Sequence, residues 1–217
     1  MFRIIELKYF LLASALTVTA AQSQTLQGLY LQLQPVGTTL AHVHYYFWKD
    51  GRMCQGLPSG GVGVEPADYA TYEMGVRKEN RECGHYSISG SRMHLQWQTS
   101  PTYDASFVHF KNDSFEMNQY STSKVGFITG QKLDGTYSAT VVGDQMRAQV
   151  YVFHPDGSYQ FTDKPVTSRD GAPAGAAGRY RVYGGTLELS GSSGSIRKTA
   201  YPFPDGGISI ENTVFSR

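Results

Sequence analysis

The chain has 217 residues, enough for one large domain or two small ones with a buried core in each. Lys and Arg number 19 against 18 Asp and Glu, and only 17% of residues are charged, which argues against a basic nucleic-acid binder or a polybasic membrane adaptor. Aromatic residues make up 13%, too many for global disorder, and two cysteines are too few for a disulfide-dense miniprotein.

Residues 1–22 read as a cleaved export signal. Arg3 and Lys8 form the basic start, Phe10 to Ala20 form an apolar run, and Val18-Thr19-Ala20 offers a small-residue cleavage context. A helix of that length covers about 16 Å, roughly half of the ~30 Å hydrocarbon core, so no transmembrane span is expected. The reading is an exported protein, periplasmic or extracellular. In such an oxidising compartment Cys54 and Cys83 read as a structural disulfide. The bond would close a loop of about 30 residues, worth about 3.6 kcal/mol in the chain-entropy model. Neither cysteine sits in a C-x-x-C pattern, which leaves little for a redox or zinc reading.

Beyond the signal the chain reads as short strands between turns. Asp-Gly pairs recur at 50–51, 134–135, 156–157, 170–171 and 205–206, each suited to a tight turn with positive φ. Alternation is plain in Met93, Leu95, Trp97 and in Leu187, Leu189. One short helix is expected, around Pro66 to Met74.

The chain also matches itself. Gly28-Leu29-Tyr30 answers Gly135-Thr136-Tyr137, and Phe47 to Gly51 answers Phe153 to Gly157. Gly84-His85-Tyr86 answers Gly178-Arg179-Tyr180, Leu95 answers Leu189, and Phe110, Phe115, Met117 answer Phe203, Ile208, Ile210. The expectation is an all-β chain of two tandem, duplicated modules, 23–127 and 128–217. Each closes its own small antiparallel barrel or sandwich, or both share one larger barrel. Tyr86, Tyr180, Leu95, Leu189, Phe110 and Phe203 should all face a core. Between the Asp-Gly turn and the Gly-x-Tyr block the first copy has 32 residues and the second 20. The longer loop carries both cysteines, Gly56-Leu57-Pro58-Ser59-Gly60-Gly61, and Tyr69 and Tyr72. It is either a binding loop or an insertion packed on the wall.

Phe47 to Arg52 (F-x-x-D-G-R), Gly56 to Gly61 (G-L-P-x-G-G) and Gly84 to Gly90 (G-x-Y-x-I-x-G) together resemble secreted and periplasmic bacterial β modules of lipocalin-like character. The resemblance implies a β-barrel and transfers no catalytic residue.

No hydrolase elbow or phosphate loop is present. His85 and His94 alternate with Tyr86 and Leu95 and should face solvent. His42 and His44 stand where the second copy has Ala148 and Val150. On a strand they would share one face about 6.6–6.8 Å apart, continued by Tyr46 and Trp48. If that face is interior, the imidazoles need a hydrogen bond, a ligand or a metal. The candidate ligand-binding set is therefore His42, His44, Tyr46, Trp48, Tyr69 and Tyr72, with no catalytic residue, metal or cofactor implied. The leading reading is a non-catalytic exported barrel that binds a small or amphipathic ligand or an envelope component. The rivals are an envelope structural or protein-interaction module and a small metal-dependent enzyme using His42 and His44.

Overall fold

The computed structural model describes residues 24–37, 39–111, 113–128, 132–166 and 174–217; the export signal read over 1–22 and the Asp170-Gly171 turn lie outside them. The first module contributes β1 (Gly28–Val36), β2 (Thr39–Phe47), β3 (Arg52–Gln55), β4 (Cys83–Ser89), β5 (Arg92–Trp97), β6 (Tyr103–Lys111), β7 (Ser114–Met117) and β8 (Tyr120–Lys124), with the helix α1 (Tyr69–Lys78) between β3 and β4. Each strand pairs antiparallel with the next, and β8 returns to β1 through Tyr30↔Lys124, Leu31↔Ser123 and Gln32↔Thr122. Closure leaves no free sheet edge.

The second module repeats the plan with β9 (Gly135–Val142), β10 (Met146–Phe153), β11 (Ser158–Pro165), β12 (Ala174–Tyr183), β13 (Thr186–Gly191), β14 (Gly194–Pro202), β15 (Ile208–Ile210) and β16 (Thr213–Phe215). The Ser138 and Ser216 amides donate to each other's carbonyls at 2.8 and 2.9 Å, which brings the last strand back to β9. The chain therefore forms two tandem eight-stranded antiparallel barrels, each with its own interior, and not one larger barrel.

Alternation decides what each barrel encloses. Along β5 the inward Met93, Leu95 and Trp97 are buried and their neighbours exposed. Tyr30, Tyr45, Phe47, Met53, Tyr86, Phe107, Phe115 and Met117 join them in the first interior. Tyr137, Tyr151, Phe153, Tyr159, Tyr180, Leu187, Leu189 and Phe215 fill the second.

The repeated motifs have a shared mechanical role. At the Asp50-Gly51 and Asp156-Gly157 turns the carboxylate accepts an amide two residues on: Arg52 N–H to Asp50 at 3.2 Å, Ser158 N–H to Asp156 at 2.8 Å. Gly51 and Gly157 both adopt φ 85°, a value that disfavours any side chain. The Tyr86 and Tyr180 amides donate to the Gly51 and Gly157 carbonyls at 2.7 and 2.8 Å. Their hydroxyls then donate across the barrel end, Tyr86 to Leu26 O at 2.9 Å and Tyr180 to Leu133 O at 2.5 Å. The glycine of each Gly-x-Tyr is required by its neighbour: a Cβ on Gly84 or Gly178 would strike the carbonyl of Gln96 or Ser190.

Two expectations need correction. The helix runs over Tyr69–Lys78, later than Pro66 to Met74, because Asp68 caps it by accepting the Thr71 amide at 2.9 Å. Gly75 lies inside it, where a Cβ would press on Pro58. Phe203 does not face a core, and Phe110 only borders one, its ring 5.9 Å from Phe107 and 6.2 Å from Phe115. The β6 register shifts between Val108 and Lys111, with His109 at φ 57°, and leaves Phe110 36% exposed. Phe203 packs outside both barrels.

The Tyr86 hydroxyl also accepts the buried Leu26 amide at 2.8 Å, a bond that Tyr180 does not make among the described residues. Tyr86→Phe is therefore expected to cost about 1–3 kcal/mol by leaving that donor unpaired, and Tyr180→Phe less. Urea denaturation of the two variants checks the order; equal losses would contradict it.

Candidate functional site

The His42 to Trp48 strip lies on the outside of the first barrel. Val43, Tyr45 and Phe47 point inward, so His42, His44, Tyr46 and Trp48 take the opposite face of β2. That outer face is nonetheless covered. Leu29, Tyr46, Trp48, Val62, Tyr72, Val76 and Tyr201 form a third apolar cluster between the barrel wall, the long loop and the second barrel. Both faces of β2 are thus buried, and alternation alone could not say which one was interior.

The strip divides into two pairs by what it touches. Tyr46 and Trp48 clamp the loop at one residue: the Ala67 amide donates to the Tyr46 hydroxyl at 2.8 Å, and the Trp48 indole donates to the Ala67 carbonyl at 2.7 Å. Tyr72 packs beside both, its ring centroid 4.9 Å from Tyr46 and 5.4 Å from Trp48, and Tyr69 lies 4.9 Å from Trp48. His42 and His44 reach the second barrel instead. His44 Nε2 shares a hydrogen bond of 2.6 Å with the Tyr201 hydroxyl, and the His42 ring sits 5.7 Å from Phe203. Among the described residues no group of three His, Cys, Asp or Glu comes together to hold a metal, so His42 and His44 gain no third ligand there.

The disulfide sits at the root of the loop. Cys54 and Cys83 are bonded to each other across the paired strands β3 and β4, where the loop leaves the barrel and returns. The loop then docks on the second barrel. The Gly63 amide donates to Thr186 Oγ1 at 2.8 Å, the Gly185 amide to the Gly63 carbonyl at 2.8 Å, and the Thr199 hydroxyl to the Pro58 carbonyl at 2.9 Å. All six candidate ligand residues therefore take part in joining loop, wall and second barrel. Beside His42 and His44 a cleft of about 450 Å³ remains, bordered by Gln55, Pro58, Arg81 and Glu211.

A second space of about 450 Å³ lies inside the second barrel, at the end away from Tyr180. Its walls are Tyr151, Tyr159, Phe161, Leu189, Ile210 and Phe215, with Gln149, Asp163, Lys198 and Glu211 among them. It opens to solvent, since Ile196 in its wall is 55% exposed. Asp163 accepts Arg147 Nε at 2.8 Å and Gln149 Nε2 at 3.4 Å, while Lys198 Nζ donates to Glu211 at 3.0 Å. The reading from sequence missed these residues. Their signal was present as polar side chains in inward phase: Gln149 two before Tyr151, Asp163 two after Phe161, Lys198 two before Ala200.

Burial of His44, with smaller contributions from His42 and Arg81, lowers its pKa to about 3, so it is neutral in the folded protein. Between its ordinary value near 6.5 and about 3 the unfolded chain binds the extra proton, so stability falls as pH falls, by about 1.4 kcal/mol per pH unit. From pH 7 to pH 5 the wild type is expected to lose about 2 kcal/mol more than His44→Phe, read from chemical denaturation at both pH values. Parallel losses would show that this imidazole does not set the acid sensitivity. Comparison with protein-family models, curated proteins and solved structures found no match.

Proposed function

We propose that this chain is an exported, non-catalytic ligand-binding protein, in which the second barrel receives a small amphipathic ligand and the first is a scaffold. The observation that carries this reading is the open cavity of about 450 Å³ inside the second barrel, aromatic in its walls with a few convergent polar groups. Small-molecule sites run from about 300 to 1,000 Å³ and share that mixture of apolar wall and sparse polar contacts. The first barrel carries Trp97 and Phe107 at the positions of Gly191 and Ala200, and both side chains are buried in its core. Export is supported by the apolar run near the start of the chain and by the Cys54–Cys83 bond. No helix among the described residues is long and apolar enough to cross a membrane.

A second reading, a protein-interaction module, draws on one specific feature. Val142, Met146 and Val166 are 76%, 44% and 51% exposed at adjoining strand ends beside the cavity mouth.

N-phenyl-1-naphthylamine, a neutral amphipathic fluorophore, separates the two. Wild type is expected to enhance its fluorescence saturably. Ala176→Trp, which fills the mouth from the cavity wall, should weaken that binding about tenfold or more without lowering the melting temperature. Absence of saturable enhancement, or no effect of Ala176→Trp, overturns the ligand reading in favour of the interaction module.

A further inference from the structure

The chemistry of the cavity wall in the second barrel narrows its ligand, on the footing of the binding reading above. Tyr151 and Tyr159 are 4% and 5% exposed, and neither hydroxyl has a hydrogen-bond partner among the described residues. No fully buried side-chain oxygen there lacks a partner, so both hydroxyls keep some accessible surface, and both residues line the cavity. Burial, with the nearby Glu211, Tyr159 and Asp163, pushes the Tyr151 phenol's pKa up and keeps it a donor. A hydrocarbon chain filling this space would take water from both hydroxyls and return no bond, which is the costly case for a buried polar group.

A charged ligand meets a different obstacle. Asp163 is engaged by Arg147 and Gln149, and Glu211 by Lys198, so the four charges at the mouth cancel in pairs. An incoming anion or cation would break a pair and leave its other member uncompensated. The rest of the wall, with Phe161, Leu189, Ile210 and Phe215, rewards an apolar face.

An uncharged molecule with an apolar C–H face and several hydroxyls along its edge satisfies all three conditions. We propose that the second barrel binds a neutral saccharide of one or two ring units, its ring face on the aromatic wall and its hydroxyls bonded to Tyr151 and Tyr159. The two phenols set specificity, because they are polar wall groups without a bond of their own among the described residues and distinguish a hydroxylated ring from a hydrocarbon of the same size.

The test uses the full exported protein on a glycan array of neutral and charged mono- to tetrasaccharides, followed by titration calorimetry with the strongest binder. Tyr151→Phe and Tyr159→Phe remove atoms that have no protein partner among the described residues, so both variants should fold as wild type. Each is expected to weaken saccharide binding about tenfold, while N-phenyl-1-naphthylamine binds them as well as wild type or better. Ala176→Trp should weaken both about tenfold or more. The proposal is overturned if the fluorophore binds but no neutral glycan does, if only charged glycans bind, or if the Tyr→Phe variants hold the saccharide as wild type does. Failure of fluorophore and glycans alike in the wild type brings down the ligand reading as well, so the two failures are told apart.

Discussion

Burial of β2 on both faces is the constraint around which the molecule is arranged. Inward, Tyr45 and Phe47 complete the first core. Outward, the His42 to Trp48 strip needs a cover as large as a core, and the fold supplies it from two sources. The loop after Cys54 lays α1 over Tyr46 and Trp48. The second barrel brings Tyr201 and Phe203 to His44 and His42. Each cover also holds the other, since Gly63 and Pro58 of the loop bond Gly185, Thr186 and Thr199 of the second barrel. The insertion in the first copy is thus the element that makes two barrels pack as a pair.

The two interiors follow different rules. Equivalent positions carry Trp97 and Gly191, and Phe107 and Ala200. Polar side chains at the mouth of the second barrel are tolerated because they are paired: Arg147 with Asp163, Lys198 with Glu211. The same backbone plan therefore carries large buried side chains in one copy where the other has small residues and a lined recess.

How much of this was legible in the sequence depended on whether the determinant was local. Asp50-Gly51 and Gly84-x-Tyr86 announce themselves because turn chemistry and a close carbonyl dictate those residues whatever surrounds them. Their repetition at Asp156-Gly157 and Gly178-x-Tyr180 exposed the duplication and the all-β class. Cys54 and Cys83 were legible as a pair because the chain has only two cysteines and neither sits in a C-x-x-C pattern. The placement of His42 and His44 was not, because an interface between modules imitates a core in composition. The cavity was hidden by the same ambiguity: Gln149, Asp163 and Lys198 look like solvated polar residues until the inward phase of Tyr151, Phe161 and Ala200 is known. Phe110 shows a further limit, since the irregularity in β6 that turns it toward Phe107 and Phe115 has no Gly or Pro to mark it.

The bond between Cys54 and Cys83 has a topological consequence. Every peptide bond of the loop lies within the covalent ring it closes, so a single cut between those residues severs the chain without separating its pieces. The strands before and after the cut stay tied at adjacent positions of one barrel, and the loop's free ends remain pinned by Ala67 on Tyr46 and Trp48 and by Pro58 on Thr199. On a denaturing gel such a nicked molecule runs as one species until a reductant is added.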